Sequence, residues 1–261
     1  MLANLLLRTE YSFMQSLCAL KDVVIKSKEL GYEALAIVDF GNLHGGYKFY
    51  KECTKNNIKP IIGIEINISK DEYKVPIHLY AMDNFGYQNI LKIASRYKIN
   101  AESIDVNYLQ KCGLGVLGIL NGNSLIIQNQ NSLYIKQIKE SLSMLYVGIT
   151  SDLLNDEYYK LHKYIEDLQI KEVGLQDTRY INEEDLESYH VLQAISSNKV
   201  VKDCNFENVD YKLHSLEEYQ NTFKRYPYLI ENNETIVDLC NVTIKNDNLL
   251  LPEFDSKLNA D

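Results

Sequence analysis

The sequence has no tryptophan, only four prolines and no Cys-x-x-Cys pair. Its five cysteines, at 18, 53, 112, 204 and 240, are scattered. That spacing argues against a zinc ribbon or a thioredoxin-like redox pair and reads as reduced packing thiols of a cytoplasmic protein. No run of 18 apolar residues occurs, so no membrane span is expected. Met1 to Leu7 is too short for a signal peptide and lacks the basic start. Positive charge is scarce: 27 Lys and Arg stand against 36 Asp and Glu, a net charge of −9. A domain that grips nucleic acid by itself is usually basic, so no direct hold on DNA is expected. No P-loop, GxGxxG or Ser-His-Asp arrangement stands out, and the glycines at 41, 45 and 46 read as turn residues.

What is present is a chain of 261 residues, 46% apolar, with room for one α/β barrel or two small domains. Twenty tyrosines beside abundant Asn, Lys and Ile suggest an AT-rich coding bias more than a function. The organising stretch is Glu33 to Gly46, EALAIVDFGNLHGG. Five apolar residues, Ala34 to Val38, end on the carboxylate of Asp39, with a Gly- and Asn-rich turn behind it. Such a run between two helices reads as a parallel strand buried on both faces, with Asp39 at the end where ligand sites lie.

Similar runs recur. Leu2 to Arg8 reads as a first strand, Ile58 to Ile68 a third, Val75 to Ala81 a fourth, Leu114 to Leu120 a fifth, Met144 to Ile149 a sixth and Glu172 to Leu175 a seventh. Helices are expected from a cap at Ser16 to Glu29, with Leu17, Leu20, Val24, Ile25 and Leu30 buried and Gly31 as the stop. Others are expected over Gly46–Lys55, Asn84–Tyr97, Ile104–Lys111, Tyr134–Ser141, Asn155–Leu168, Glu183–Ser197, Leu216–Lys224 and Leu229–Cys240. Asn241 to Asp261 reads as extended. About seven alternations at intervals of 25 to 35 residues give the pattern of a parallel α/β barrel. Read singly, His44, His162, His190 and His214 are surface or helix histidines, and the Tyr-rich helix at 155–168 is packing.

At TEYS, AIVDFGNLHG, KFY, NIKPIIGIE, GYQNILKI and NVT…LLLPEF the chain resembles the PHP (polymerase and histidinol phosphatase) domain. More narrowly, it resembles the PHP domain at the N-terminus of the bacterial DNA polymerase III alpha subunit. The resemblance implies a distorted (β/α)7 TIM-like barrel over residues 1–255, with 256–261 a tail leading to the rest of a polymerase. It implies a trinuclear metal cluster at the barrel mouth in active members, which hydrolyse phosphoesters. It also implies packing on the remainder of the alpha subunit and, in some bacteria, docking of a proofreading exonuclease.

The family's metal-ligand pattern is incomplete here. The opening His-x-His positions are Leu6 and Arg8, and the Asp that follows is Gln15. The Asp-His after the second strand is Asp39-Phe40. Glu65 and His78 keep their type, the fifth-strand Cys or His is Leu120, and the closing Asp-x-His is Asp177-Thr178-Arg179. Leu6, Phe40 and Leu120 cannot bind a metal, and Arg8 and Arg179 repel one. The expectation is a vestigial, non-catalytic site of Asp39, Glu65, His78, Asp177, Arg8 and Arg179. No cofactor is expected, or at most one weakly bound divalent metal on Asp39, Glu65, His78 and Asp177. The two arginines are expected to balance three carboxylates, with His78 able to add a third positive charge. The reading is a scaffold domain of a replicative polymerase, as an N-terminal fragment. The rivals are a pyrophosphatase or 3′–5′ exonuclease with a reduced metal set, and a stand-alone interaction module.

Overall fold

The computed structural model describes residues 1–70, 73–100, 103–206 and 209–245. The first strand is two short pieces, β1 (Ala3–Asn4) and β2 (Leu6–Leu7). It divides where the Asn4 side chain accepts from the Leu6 N–H at 3.0 Å and donates to Thr178 Oγ1 at 2.7 Å. Next come α1 (Leu20–Glu29), β3 (Ala34–Phe40), α2 (Gly46–Lys55), β4 (Lys59–Lys70), β5 (Tyr73–Ala81), α3 (Asn84–Ile99) and α4 (Val106–Cys112). They are followed by β6 (Val116–Asn121), the single turn α5 (Leu125–Gln128), α6 (Ser132–Glu140), β7 (Met144–Ile149) and α7 (Tyr158–Asp167). The described elements end with β8 (Lys171–Gly174), β9 (Asp177–Thr178), α8 (Leu186–Ser196), α9 (Leu216–Phe223) and α10 (Pro227–Leu239). Residues 246–261, with the LLPEF segment, lie outside the described residues.

The strands form one sheet in the order β1-β3-β4-β5-β6-β7-β8. The separate parallel pair β2–β9, with Leu6 opposite Asp177, joins the two ends. Counting β1 with β2 and β8 with β9, the result is a distorted seven-stranded β/α barrel. It is not all parallel, as the alternation predicted: β5 runs antiparallel to both β4 and β6. The physical reason is connection length. Only residues 71 and 72 separate β4 from β5, and a parallel crossover needs about a dozen residues.

α1 starts at Leu20 rather than after Ser16. The Ser16 hydroxyl bridges the backbone carbonyls of Arg8 (2.7 Å) and Arg179 (3.0 Å) instead of capping a helix. Val23 and Ser27 complete the buried face, while Ile25 is exposed. Gly31 ends the helix at φ +93°, a conformation that favours glycine.

Side chains alternate along each strand. Ala34, Ala36, Val38, Ile61, Tyr80, Leu117, Ile119, Val173 and Leu175 fill the inside of the barrel. Leu35, Ile37, Ile62, Ile64, Ile77, Leu79 and Val147 pack outward in the larger core that the helices cover. α10 joins the inner group through Ile236 and Val237, with Cys240 just after it, and stands where β1 and β8 do not pair. There Asn233 pairs with both the N–H and the C=O of Ala3, at 3.0 and 2.9 Å. Asn232 donates to the Glu172 carbonyl at 2.8 Å.

Candidate functional site

On the strands, the alternation that points Leu6, Gly63, Tyr80 and Leu175 inward also points Arg8, Glu65, His78 and Asp177 inward, two residues nearer the mouth. Glu65 and His78 lie within their strands rather than at strand ends. They face each other across the β4–β5 hairpin, which runs on past the barrel rim. Phe40, the last residue of β3, is level with Glu65.

The Arg8 guanidinium is the centre of the cluster, and the residue is only 6% exposed. Its Nε and Nη2 donate to Glu65 Oε2, the former at 2.9 Å, and its Nη1 donates to Asp177 Oδ1 at 2.5 Å. Burial works against the charge of Arg8, but Asp177 and Glu65 more than offset it and raise its pKa. Asp177 receives a second arginine: Arg179 Nε and Nη2 donate to Oδ2 at 3.1 and 2.7 Å. Burial pushes the Asp177 carboxyl up, yet Arg8 and Arg179 together pull it down to about 2. Arg179 is itself pinned by Tyr189, which accepts from Nη1 at 2.9 Å, and by the Tyr211 ring 4.0 Å from its Cζ.

Asp39 does not join this cluster. It falls on the alternation of Leu35 and Ile37, and its carboxylate is held by neutral donors. Oδ1 accepts from the Thr9 N–H and from Ser12 Oγ, and Oδ2 accepts from Thr9 Oγ1, each at 2.7 Å. Burial raises its pKa, an effect that these three hydrogen bonds and, least, the Arg8 charge reduce but do not cancel. The expectation that two arginines balance three carboxylates is met by direct bonds only at Glu65 and Asp177: the TEYS loop bonds Asp39, which Arg8 reaches only through its charge. His78 supplies no third charge either. Burial lowers its pKa and keeps it neutral, with Nε2 3.7 Å from Glu65 Oε2 and Nδ1 buried without a partner.

The donor set does not fit a multinuclear metal cluster. A guanidinium stands between Glu65 and Asp177, and both Asp39 oxygens are committed to Thr9 and Ser12. Leu6 is packed in the inner core, and Phe40 lies edge-on to Tyr97. Leu120 packs in the outer core, so the fifth-strand residue that faces the mouth is Asn121. Among the described residues no group of three or more His, Cys, Asp or Glu side chains is placed to hold a metal ion.

Beside the ion pairs lies a cavity of about 220 Å³, lined by Asn121, Thr150, Gln176, Asp177, Arg179 and His214 among others. Three of the remaining histidines are engaged more closely than the sequence suggested, while His44 is exposed. His162 Nδ1 lies 2.5 Å from the buried Glu172 carboxylate, His214 pairs with Asp210 at 2.7 Å, and His190 stacks on Phe206. Sequence reasoning missed Thr9, Ser12, Tyr189 and Tyr211 as partners of the charged groups. Thr9 and Ser12 lie inside the TEYS motif, but neutral hydroxyls carry no mark of the carboxylate they serve.

The PHP domain family matches residues 4–123. The chain is 27% identical over 267 residues to DNA polymerase III subunit alpha of Bacillus subtilis, covering 96% of this chain and 24% of that protein. It is 29% identical over 256 residues to the same subunit of Staphylococcus epidermidis, covering 97% of this chain and 22% of that protein. The chain thus spans about a quarter of the length of these relatives. Among solved structures it is similar to an amidohydrolase from Chromobacterium violaceum with bound sulfate and no metal. The TM-score is 0.53 at 9% identity, over 71% of this chain and 89% of that one, a likeness of fold. No helix of the described residues is long and apolar enough to cross a membrane.

Proposed function

We propose, for a chain that carries a PHP domain over residues 4–123 and resembles a quarter of DNA polymerase III alpha subunits, a structural role without hydrolysis. The domain would extend to about residue 255 and support the remainder of a replicative polymerase in the cytoplasm. Its contacts would be with protein, since a net charge of −9 disfavours a direct hold on DNA.

One observation carries the reading: the Arg8 guanidinium sits between Glu65 and Asp177, bonded to both. A phosphoesterase of this class needs open metal positions for water and phosphate, and a permanently protonated side chain bonded to both carboxylates would repel a metal ion there. The reading is tested by incubating the chain with pyrophosphate and with a 3′-labelled primer, in manganese, zinc and magnesium in turn. No turnover above background is expected. Turnover that disappears in Asp39→Ala would establish the rival reading, a phosphoesterase with a reduced metal set.

A further inference from the structure

We infer that the Arg8 guanidinium is a tethered cation that does the structural work of a bridging metal ion, so that the barrel mouth holds its shape without one. The inference uses the cluster on which the structural role rests, but its readout is stability and not turnover. Hydrolysis by a wild-type chain whose melting temperature is indifferent to EDTA and manganese would overturn that role and leave this inference standing.

Three features support it. First, Arg8 follows directly on β2, while its partners lie on β4 and β9. One planar group therefore ties three strands that are far apart in the chain, and β2–β9 is the two-residue seam that joins the ends of the sheet. Second, one rigid planar group bridges two carboxylates: Nε and Nη2 both meet Glu65 Oε2 and Nη1 meets Asp177 Oδ1. Its donors are fixed relative to one another, so it sets the separation of the two oxygens it bridges, as a metal ion does and a flexible ammonium does not. Third, charge closes locally. Glu65 and Asp177 are matched by Arg8 and Arg179, and Asp39 is hydrogen-bonded by neutral donors.

Without Arg8, Glu65 and Asp177 would face a space lacking its cation, beside the imidazole of His78. That space should accept a cation from solution, whereas the native mouth should not. The experiment is a melting series at pH 7.5 on the wild-type chain and Arg8→Ala. Each is measured with EDTA, with millimolar manganese and with millimolar methylguanidinium. Wild type should melt at one temperature throughout. Arg8→Ala should melt lower by about 6 °C or more, and either cation should raise it by a few degrees.

An EDTA-sensitive wild type would overturn the inference, because a metal would then still hold the mouth. So would an Arg8→Ala variant that is as stable as wild type, or one that is destabilised and indifferent to both cations. Should Arg8→Ala not fold, Arg8→Lys and Arg8→Met decide the matter. Lysine keeps the charge and methionine keeps much of the bulk. Arg8→Lys melting above Arg8→Met supports a cation role; equality or the reverse order overturns it.

Discussion

Asp177 is an acid that two arginines keep ionised, and this sets where in pH it contributes. Its carboxyl stands at about 2 in the fold against an ordinary value of 3.8. A depressed folded value means that its contribution is complete above the ordinary value and is lost as pH falls from about 4 toward 2. The shift corresponds to roughly 2 kcal/mol. Asp177→Asn should therefore lower the urea-unfolding free energy by about that much at pH 7 and by far less near pH 2. Equal loss at both pH values would mean that the side chain acts through packing alone. His78 works in a higher window. Burial lowers its pKa below the ordinary 6.5, so the fold must keep it neutral while the unfolded chain takes up a proton. Stability from this group is complete above that value and declines as pH falls below it. His78→Gln should lose less stability than wild type between pH 7.5 and 5.5. Parallel urea midpoints for the two proteins over that interval would remove His78 as a source of acid sensitivity.

Among the elements, α10 does a strand's work where β1 and β8 fail to pair. Asn233 supplies the acceptor and the donor that a neighbouring strand would have offered Ala3. Asn233→Ala leaves a buried N–H and C=O without partners, at about 1–3 kcal/mol each. A loss of roughly 3 kcal/mol in urea unfolding is expected, against under about 1 kcal/mol for Asn232→Ala, which removes one partly exposed bond. Equal losses would mean that α10 is held by its apolar side chains and not by this pairing. The start of α3 has a different constraint. A Cβ on Gly86 would come within 1.9 Å of the Gly115 carbonyl oxygen, a backbone atom that cannot swing aside. Gly86→Ala should displace α3 from the start of β6 and cost about 3 kcal/mol, read as a fall in melting temperature. A melting temperature within a degree of wild type would show that the two backbones can part cheaply.

For the molecule as a whole, the barrel was legible from the spacing of apolar runs. Met144–Ile149 coincides with β7, and the helix starts expected at Asn84 and Leu216 hold, capped by Asp83 and Ser215. The antiparallel β5 could also have been read, because the gap before Val75 is too short for a crossover helix. The division of the first strand could not. It depends on Asn4 reaching Thr178, more than 170 residues away. The pairing of α10 with β1 was hidden for the same reason, since Asn232-Asn233 in a helix carries no sign of the strand edge it will meet.

Residue types determined which chemistry was possible at the mouth. An arginine where a ligand would stand brings a permanent charge and a fork of donors, and leucine at 6 brings no donor at all. Nothing in the order of residues said how the charges would be shared. Tertiary structure decided that Arg8 reaches Glu65 and Asp177 rather than Asp39, and that burial keeps His78 neutral. Alternation along a strand sends neighbouring side chains to opposite faces, and only the closed barrel determines which carboxylates then lie within reach of one guanidinium.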